Sequence, residues 1–221
     1  MKLYLDTANI EDIKLYNSVF RIDGVTTNPS IICKEKPKSL DDILIPIINE
    51  LDEKQLLFVE VISNRTDDII SEAKQIIKYR KNTIPKIPVS IEGLVAIRKL
   101  SDEGIDVLAT AIMQASQAYL AINNGAKYIA PYYNRMSTYD DSFKQISLMQ
   151  KIIDQYHSNS EIVGAGFHTV KQVEETLSTG VESITVTIDI LKQMYMHEGT
   201  SIAIKGFEDK WKDNFNRSTL L

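Results

Sequence analysis

Lys86 sits in the run Ile84-Pro85-Lys86-Ile87-Pro88-Val89, a single cation within an otherwise apolar stretch. Burying an ammonium is costly, so such a lysine either pairs with an acid or gives up its proton. The neutral amine is the form that adds to a carbonyl, which makes Lys86 a candidate Schiff-base nucleophile. The same pattern also suits a lysine that snorkels from a strand end or forms an ion pair with Glu60. Asp6 and Glu60, each late in a short apolar run, could move protons beside that amine or simply hold it charged. Thr26, Thr110, Tyr132 and Asn134 are further polar groups at the ends of apolar runs. Asn28 could orient a substrate hydroxyl, and it also lies in Thr27-Asn28-Pro29-Ser30, which reads as a turn. Metal chemistry is poorly supported. His157, His168 and His197 are far apart in sequence, with no HxH or HExxH spacing. Cys33, the only cysteine, has no recognisable base to activate it.

These residues need a scaffold that brings them to one place. Eight short apolar runs recur: Leu3–Leu5, Gly24–Thr27, Leu56–Ile62, Ile84–Val89, Asp106–Ile112, Lys127–Tyr133, Glu161–Phe167 and Ser183–Ile188. Most intervals between them are long enough for one strand–helix unit. Several intervening segments carry helical periodicity. Leu40, Ile43, Leu44, Ile47, Ile48 and Leu51 follow Ser39, a possible N-cap, and Pro46 predicts a kink or a late start. Thr66 precedes Ile69, Ile70, Ala73, Ile76 and Ile77, and Ser90 precedes Leu94, Ile97 and Leu100. Gly125 closes the helix of Ala118, Tyr119 and Ile122, and Thr169 with Gln172 forms a capping box closed by Gly180. Alternating strands and helices imply parallel pairing with crossover helices. Eight units fit a closed (β/α)8 TIM barrel. A doubly wound sheet competes, but no GxGxxG follows the first strand and no Walker A motif is present. In a barrel, polar residues at the C-terminal strand ends converge on one mouth. An extra amphipathic helix with Phe207, Trp211 and Phe215 follows, so residues 1–221 read as one barrel domain with 200–221 as helix and tail.

The bulk numbers agree with an ordinary globular enzyme. The chain has 221 residues, 43% hydrophobic and 25% charged, with a net charge of −5. No basic patch points to nucleic acid, and no apolar stretch is long enough to span a membrane. The first residues, Met1-Lys2-Leu3-Tyr4-Leu5-Asp6, lack the long apolar segment of a signal peptide, and one cysteine excludes an intrachain disulfide. The expectation is a cytoplasmic protein.

Leu5-Asp6-Thr7, Gly24-Val25-Thr26-Thr27-Asn28-Pro29-Ser30, Pro85-Lys86-Ile87-Pro88-Val89, Glu92-Gly93-Leu94-Ala96-Ile97 and Ala130-Pro131-Tyr132-Asn134-Arg135 together resemble the transaldolase family. The likeness covers essentially the whole chain. It is greatest to the small-subunit branch, which includes fructose-6-phosphate aldolase and the short transaldolases. The resemblance implies a (β/α)8 barrel, a lysine Schiff base at Lys86, and neither metal nor organic cofactor. It implies a ketose phosphate such as fructose 6-phosphate as substrate, with a dihydroxyacetone unit released or transferred. Asp6 would handle the C4 hydroxyl proton, and Glu60, Thr110 and Tyr132 would hold the water of imine chemistry. Thr26 and Asn28 would line the three-carbon site, while Asn134, Arg135, Gly166 and His168 would meet the rest of the substrate. Homo-oligomers, including decameric rings, are also implied, with the terminal helix on a neighbour or on its own barrel.

Two features depart from the family's usual patterns. Glu60 matches the transaldolases, whereas Tyr132 matches the aldolases; a phenol beside the imine tilts the balance slightly toward hydrolysis. In the loop Gly164-Ala165-Gly166-Phe167-His168, the usual serine and fixed cation of the phosphate site are replaced by Gly166 and His168. Weaker or more pH-dependent phosphate recognition is therefore expected. A sugar-phosphate-binding barrel without turnover, and a Schiff-base aldolase with another substrate, are the competing readings.

Overall fold

The computed structural model describes residues 1–221. Its strands are β1 (Lys2–Asp6), β2 (Gly24–Thr26), β3 (Leu56–Glu60), β4 (Thr83–Pro88), β5 (Leu108–Ile112), β6 (Tyr128–Pro131), β7 (Glu161–Gly164) and β8 (Ser183–Val186). They pair in sequence order, all parallel, and β8 returns to β1, so the sheet closes. The helices between them are α1 (Ile10–Val19), α2 (Pro29–Lys34), α3 (Asp41–Glu50), α4 (Thr66–Ile76), α5 (Ile91–Asp102) and α6 (Ala115–Asn123). They continue as α7 (Tyr133–Met136), α8 (Ser142–Gln155), α9 (Val170–Ser178), α10 (Ile188–Tyr195) and α11 (Glu198–Phe215). The closed eight-stranded barrel is the expected (β/α)8 fold with additional helices.

Two-residue alternation along each strand divides the side chains between two regions. One face packs outward: Leu5, Val25, Leu57, Val59, Ile87, Ala109, Ile129, Ile162 and Val186 join the large core beneath the helices. The other faces the barrel axis, where Tyr4, Phe58, Ile84, Leu108, Tyr128, Ala130, Val163 and Ala165 form a separate apolar plug. Tyr4 and Tyr128 each meet the Phe58 ring edge-on, with centroids 5.2 and 5.3 Å away. Two residues beyond Tyr4, Phe58, Ile84 and Leu108 along the same inner face come Asp6, Glu60, Lys86 and Thr110. The polar residues thus form the next layer of the barrel, above an apolar floor.

Several local expectations change. Tyr132 and Asn134 lie beyond β6: Tyr132 precedes α7, and Asn134 is inside that single helical turn. Helix α3 runs through Pro46 rather than starting after it, forgoing one backbone bond. Leu40, not Ser39, holds the N-cap position of α3, although Ser39 Oγ accepts the Asp42 N–H at 3.3 Å. Arg65, not Thr66, holds the N-cap position of α4, with no side-chain cap bond. Ser90 and Thr169 cap α5 and α9, accepting the N–H groups of Gly93 and Gln172, but the expected capping box at Thr169 is not closed, because Gln172 Oε1 accepts the His168 N–H at 2.7 Å and not that of Thr169. The terminal helix spans Glu198–Phe215, starting two residues before the expected segment, and it ends where Asn216 takes a left-handed φ of 49°, leaving 216–221 as the tail. None of its residues is buried, and Ile202, Ile204, Phe207 and Phe215 are exposed. It therefore contributes nothing to the barrel's own core. No helix is long and apolar enough to cross a membrane.

Candidate active site

Lys86 reaches the inner mouth from β4 with only 6% of its side chain exposed. Its Nζ donates to the backbone carbonyl of Thr27 at 2.7 Å and lies 3.5 Å from Glu60 Oε2. Register explains the second contact, since Glu60 and Lys86 are paired residues on adjacent parallel strands. Glu60 Oε2 is buried and accepts no hydrogen bond. Burial pushes the Glu60 carboxyl above its ordinary range; Lys86 opposes that shift and Asp6 adds to it. The Thr27 carbonyl is held in place because the Thr27 N–H and hydroxyl both donate to Phe58 O, at 2.9 and 3.0 Å. Pro85, odd for a central strand, is buried in β4 opposite Val59.

Asp6 ends β1 opposite Thr26 on β2. Thr26 Oγ1 donates to Asp6 Oδ1 at 2.7 Å and lies 2.6 Å from Thr185 Oγ1. The single hydroxyl hydrogen of Thr26 goes to Asp6, so Thr185 donates to Thr26. Burial raises the Asp6 carboxyl above its usual range, against the pull of Lys86, the Thr26 hydroxyl and Lys34. Thr185, buried on β8, and Lys34, at the end of α2, were not anticipated. For Thr185 the signal was available: it is a hydroxyl inside the eighth apolar run, Ser183–Ile188.

Across the mouth, Thr110 Oγ1 and Tyr132 OH are 2.7 Å apart. Burial and the negative charge of Glu60 push the Tyr132 phenol up to about 12, so it keeps its proton at neutral pH. Thr110 is followed by Ala111 at φ 58°, where the β5–β6 register shifts. A left-handed alanine costs about 1–2 kcal/mol, and the bulge re-aims the end of β5 toward β6. Arg135 is exposed on α7, with its guanidinium carbon 5.2 Å from the Tyr132 ring centroid. Its charge acts on both Glu60 and Tyr132.

The remaining expected residues lie at the rim. Asn28 is the N-cap of α2, its Oδ1 accepting the Ile31 N–H at 2.9 Å, so the turn reading holds and only its amide nitrogen stays uncommitted. Gly166 has a φ of 70°, and a Cβ there would sit 3.4 Å from Tyr132. Asn134 N–H donates to Gly166 O at 3.1 Å. His168 is exposed, and its backbone N–H is taken by Gln172 Oε1 at 2.7 Å, which leaves only its imidazole for a ligand. Asp6, Thr26, Glu60, Lys86, Thr110, Tyr132 and Arg135 are thus linked by contact or by mutual charge, whereas Asn28, Asn134, Gly166 and His168 form the outer rim. His157 and His197 stand apart from this mouth, at the end of α8 and at the N-cap of α11. Cys33 is exposed on α2.

A closed parallel barrel with a buried lysine between carboxylates at its mouth defines an α/β-barrel enzyme. The comparisons make that class specific. Residues 3–219 match the family described as transaldolase/fructose-6-phosphate aldolase, and the chain belongs to that family. It is an enzyme of the Schiff-base aldolase and transaldolase class, whose members cleave or transfer aldol units of sugar phosphates.

Two solved structures share the fold at low identity. One is a thiamine phosphate pyrophosphorylase from Pyrococcus furiosus, 16% identical, with a TM-score of 0.55 over 84% of this chain and 85% of that one. The other is a protein from Coccidioides immitis described as a fructose-1,6-biphosphate aldolase, 13% identical, with a TM-score of 0.57 over 84% of this chain and 73% of that one. At such identities the likeness speaks for the barrel alone.

Proposed function

We propose that Lys86 forms the Schiff base and that the chain cleaves a ketose phosphate such as fructose 6-phosphate to give a dihydroxyacetone unit. The observation that carries this reading is the amine of Lys86, buried 3.5 Å from Glu60 within the mouth of a family barrel. The amine adds to the C2 carbonyl, water leaves, and the resulting iminium draws electrons from the C3–C4 bond as it breaks. Asp6 takes the C4 hydroxyl proton, its carboxylate oriented by Thr26 at 2.7 Å. The aldehyde departs and leaves an enamine on Lys86.

The proton taken up by Asp6 returns to C3 of the enamine and restores the iminium, and Glu60, Thr110 and Tyr132 then hold the water that hydrolyses it. The unpartnered Glu60 Oε2 and the protonated Tyr132 phenol support that role, one as acceptor and one as donor. Thr26 and Asn28 line the three-carbon site. Asn134, Arg135, the Gly166 loop and the His168 imidazole receive the phosphate end. The protein falls in the small-subunit branch, acts in the cytoplasm, and favours release of dihydroxyacetone over transfer. The exposed apolar side of α11 supports a homo-oligomer, including a decamer, in which this helix packs on a neighbouring copy.

Borohydride reduction in the presence of dihydroxyacetone or fructose 6-phosphate, followed by peptide mass spectrometry, tests the assignment. A reduced adduct on Lys86 is expected, and Lys86→Met is expected to abolish it. An adduct on another lysine, or ligand binding with no adduct, would overturn it. Free dihydroxyacetone, measured with and without erythrose 4-phosphate, separates hydrolysis from transfer.

A further inference from the structure

The wall between β6 and β7 is stitched by backbone and side chain. Tyr133 N–H donates to Ala165 O at 2.8 Å, and Asn134 N–H donates to Gly166 O at 3.1 Å. Gln172, on α9, adds a second layer. Its Oε1 accepts the His168 N–H at 2.7 Å, and its Nε2 donates to Asn134 Oδ1 at 3.0 Å. The polarity of this bridge follows from one group. A backbone N–H can only donate, so the oxygen end of the Gln172 amide faces His168. Its nitrogen end then faces Asn134, and Asn134 must answer with oxygen. Asn134 Nδ2, which makes no hydrogen bond within the protein, is left as a donor beside Arg135.

We propose that Gln172 is a specificity-determining positioning residue. By fixing the polarity of the Asn134 amide, it makes the β6–β7 rim a donor subsite for an oxygen-rich anion, the phosphate end of the substrate. This rests on the ketose phosphate reading above. Gly166 contributes no side chain here, and the His168 N–H is already used, so the oriented Asn134 amide and Arg135 supply the fixed donors.

Gln172→Glu tests the idea. The carboxylate can still accept from the His168 N–H, but it cannot donate to Asn134. The Asn134 amide should therefore turn its nitrogen to the new carboxylate and its oxygen to the ligand. Calorimetric Kd for fructose 6-phosphate is expected to rise by about tenfold or more, as for a lost charge-assisted hydrogen bond. Borohydride trapping of dihydroxyacetone, which carries no phosphate, is expected to stay within about twofold, since general loss of fold would lower both readouts. The same substitution in an Asn134→Ala background separates positioning from direct repulsion. There it is expected to change Kd by less than about threefold, because the two residues act as one unit. An unchanged Kd in the single variant would overturn the proposal. So would an equal rise in both backgrounds, which would mean the new charge repels the phosphate directly. A protein that shows the expected Kd pattern but traps no adduct would keep this subsite and overturn the Lys86 reading instead.

Discussion

Glu60 sets the pH behaviour of the mouth. Its oxygen is buried without a hydrogen-bond donor, and its carboxyl is held above the ordinary range by that burial despite Lys86. A carboxyl raised in the folded state contributes stability that is fully present below its unfolded value and lost as pH rises through the folded value. Ionising Glu60 in the folded state therefore costs stability. Glu60→Gln removes that cost, so the variant should melt above the wild type near pH 8, with the gap closing toward pH 4. Calorimetry across that range checks it, and a gap that widens on acidification would refute it. On the proposed mechanism activity should move the other way, since Glu60→Gln loses the carboxylate assigned to hold the water and leaves Lys86 in place. Catalytic groups are commonly held at such a cost in stability.

At the scale of elements, the positioning of Lys86 depends on how α5 meets β4. Gly93 lies in the first turn of α5, and a Cβ there would stand 2.0 Å from the Pro88 carbonyl oxygen. Pro88 is two residues beyond Lys86 on the same strand. Ser90 caps the helix by accepting the Gly93 N–H at 3.0 Å, so the turn has little room to shift. Gly93→Ala should therefore destabilise the protein by about 1–3 kcal/mol through overpacking. Thermal melting should show a loss of several degrees, and an unchanged melting temperature would show that the helix can slide. The motif Glu92-Gly93-Leu94 is plain in the sequence, but the reason for its glycine is visible only from the helix–strand contact.

For the molecule as a whole, α11 is the exception to a well-packed barrel. Its 18 residues include none that is buried, although Phe207 is 68% exposed and Ile202 64% exposed. Exposed apolar patches of this kind mark association surfaces. Replacing Ile202, Phe207 and Phe215 with serine should convert the proposed oligomer to smaller species in sedimentation, with the barrel's circular dichroism retained. A wild type that sediments as a monomer would remove the basis for that assignment.

How much of this was legible in the sequence depends on the range of the interaction concerned. Strand alternation and N-caps are local, so the eight units, the caps at Ser90 and Thr169, and the layer formed by Asp6, Glu60, Lys86 and Thr110 could be read directly. Family motifs added the reading of Lys86 as a nucleophile, which its setting alone left undecided. What only the tertiary structure decided arises between segments distant in the chain. Barrel closure brings Thr185 to Thr26 across 159 positions, and Lys86 to the Thr27 carbonyl across 59. Likewise, it took the packed wall of β6 and β7 to show that Gln172 meets Asn134, and the finished barrel to show that α11 lies outside its core. Hydrogen-bond polarity and burial depend on neighbours in space. For the buried lysine this means that the sequence established the amine and its apolar strand, and the closed barrel supplied the carboxylate and carbonyl it faces.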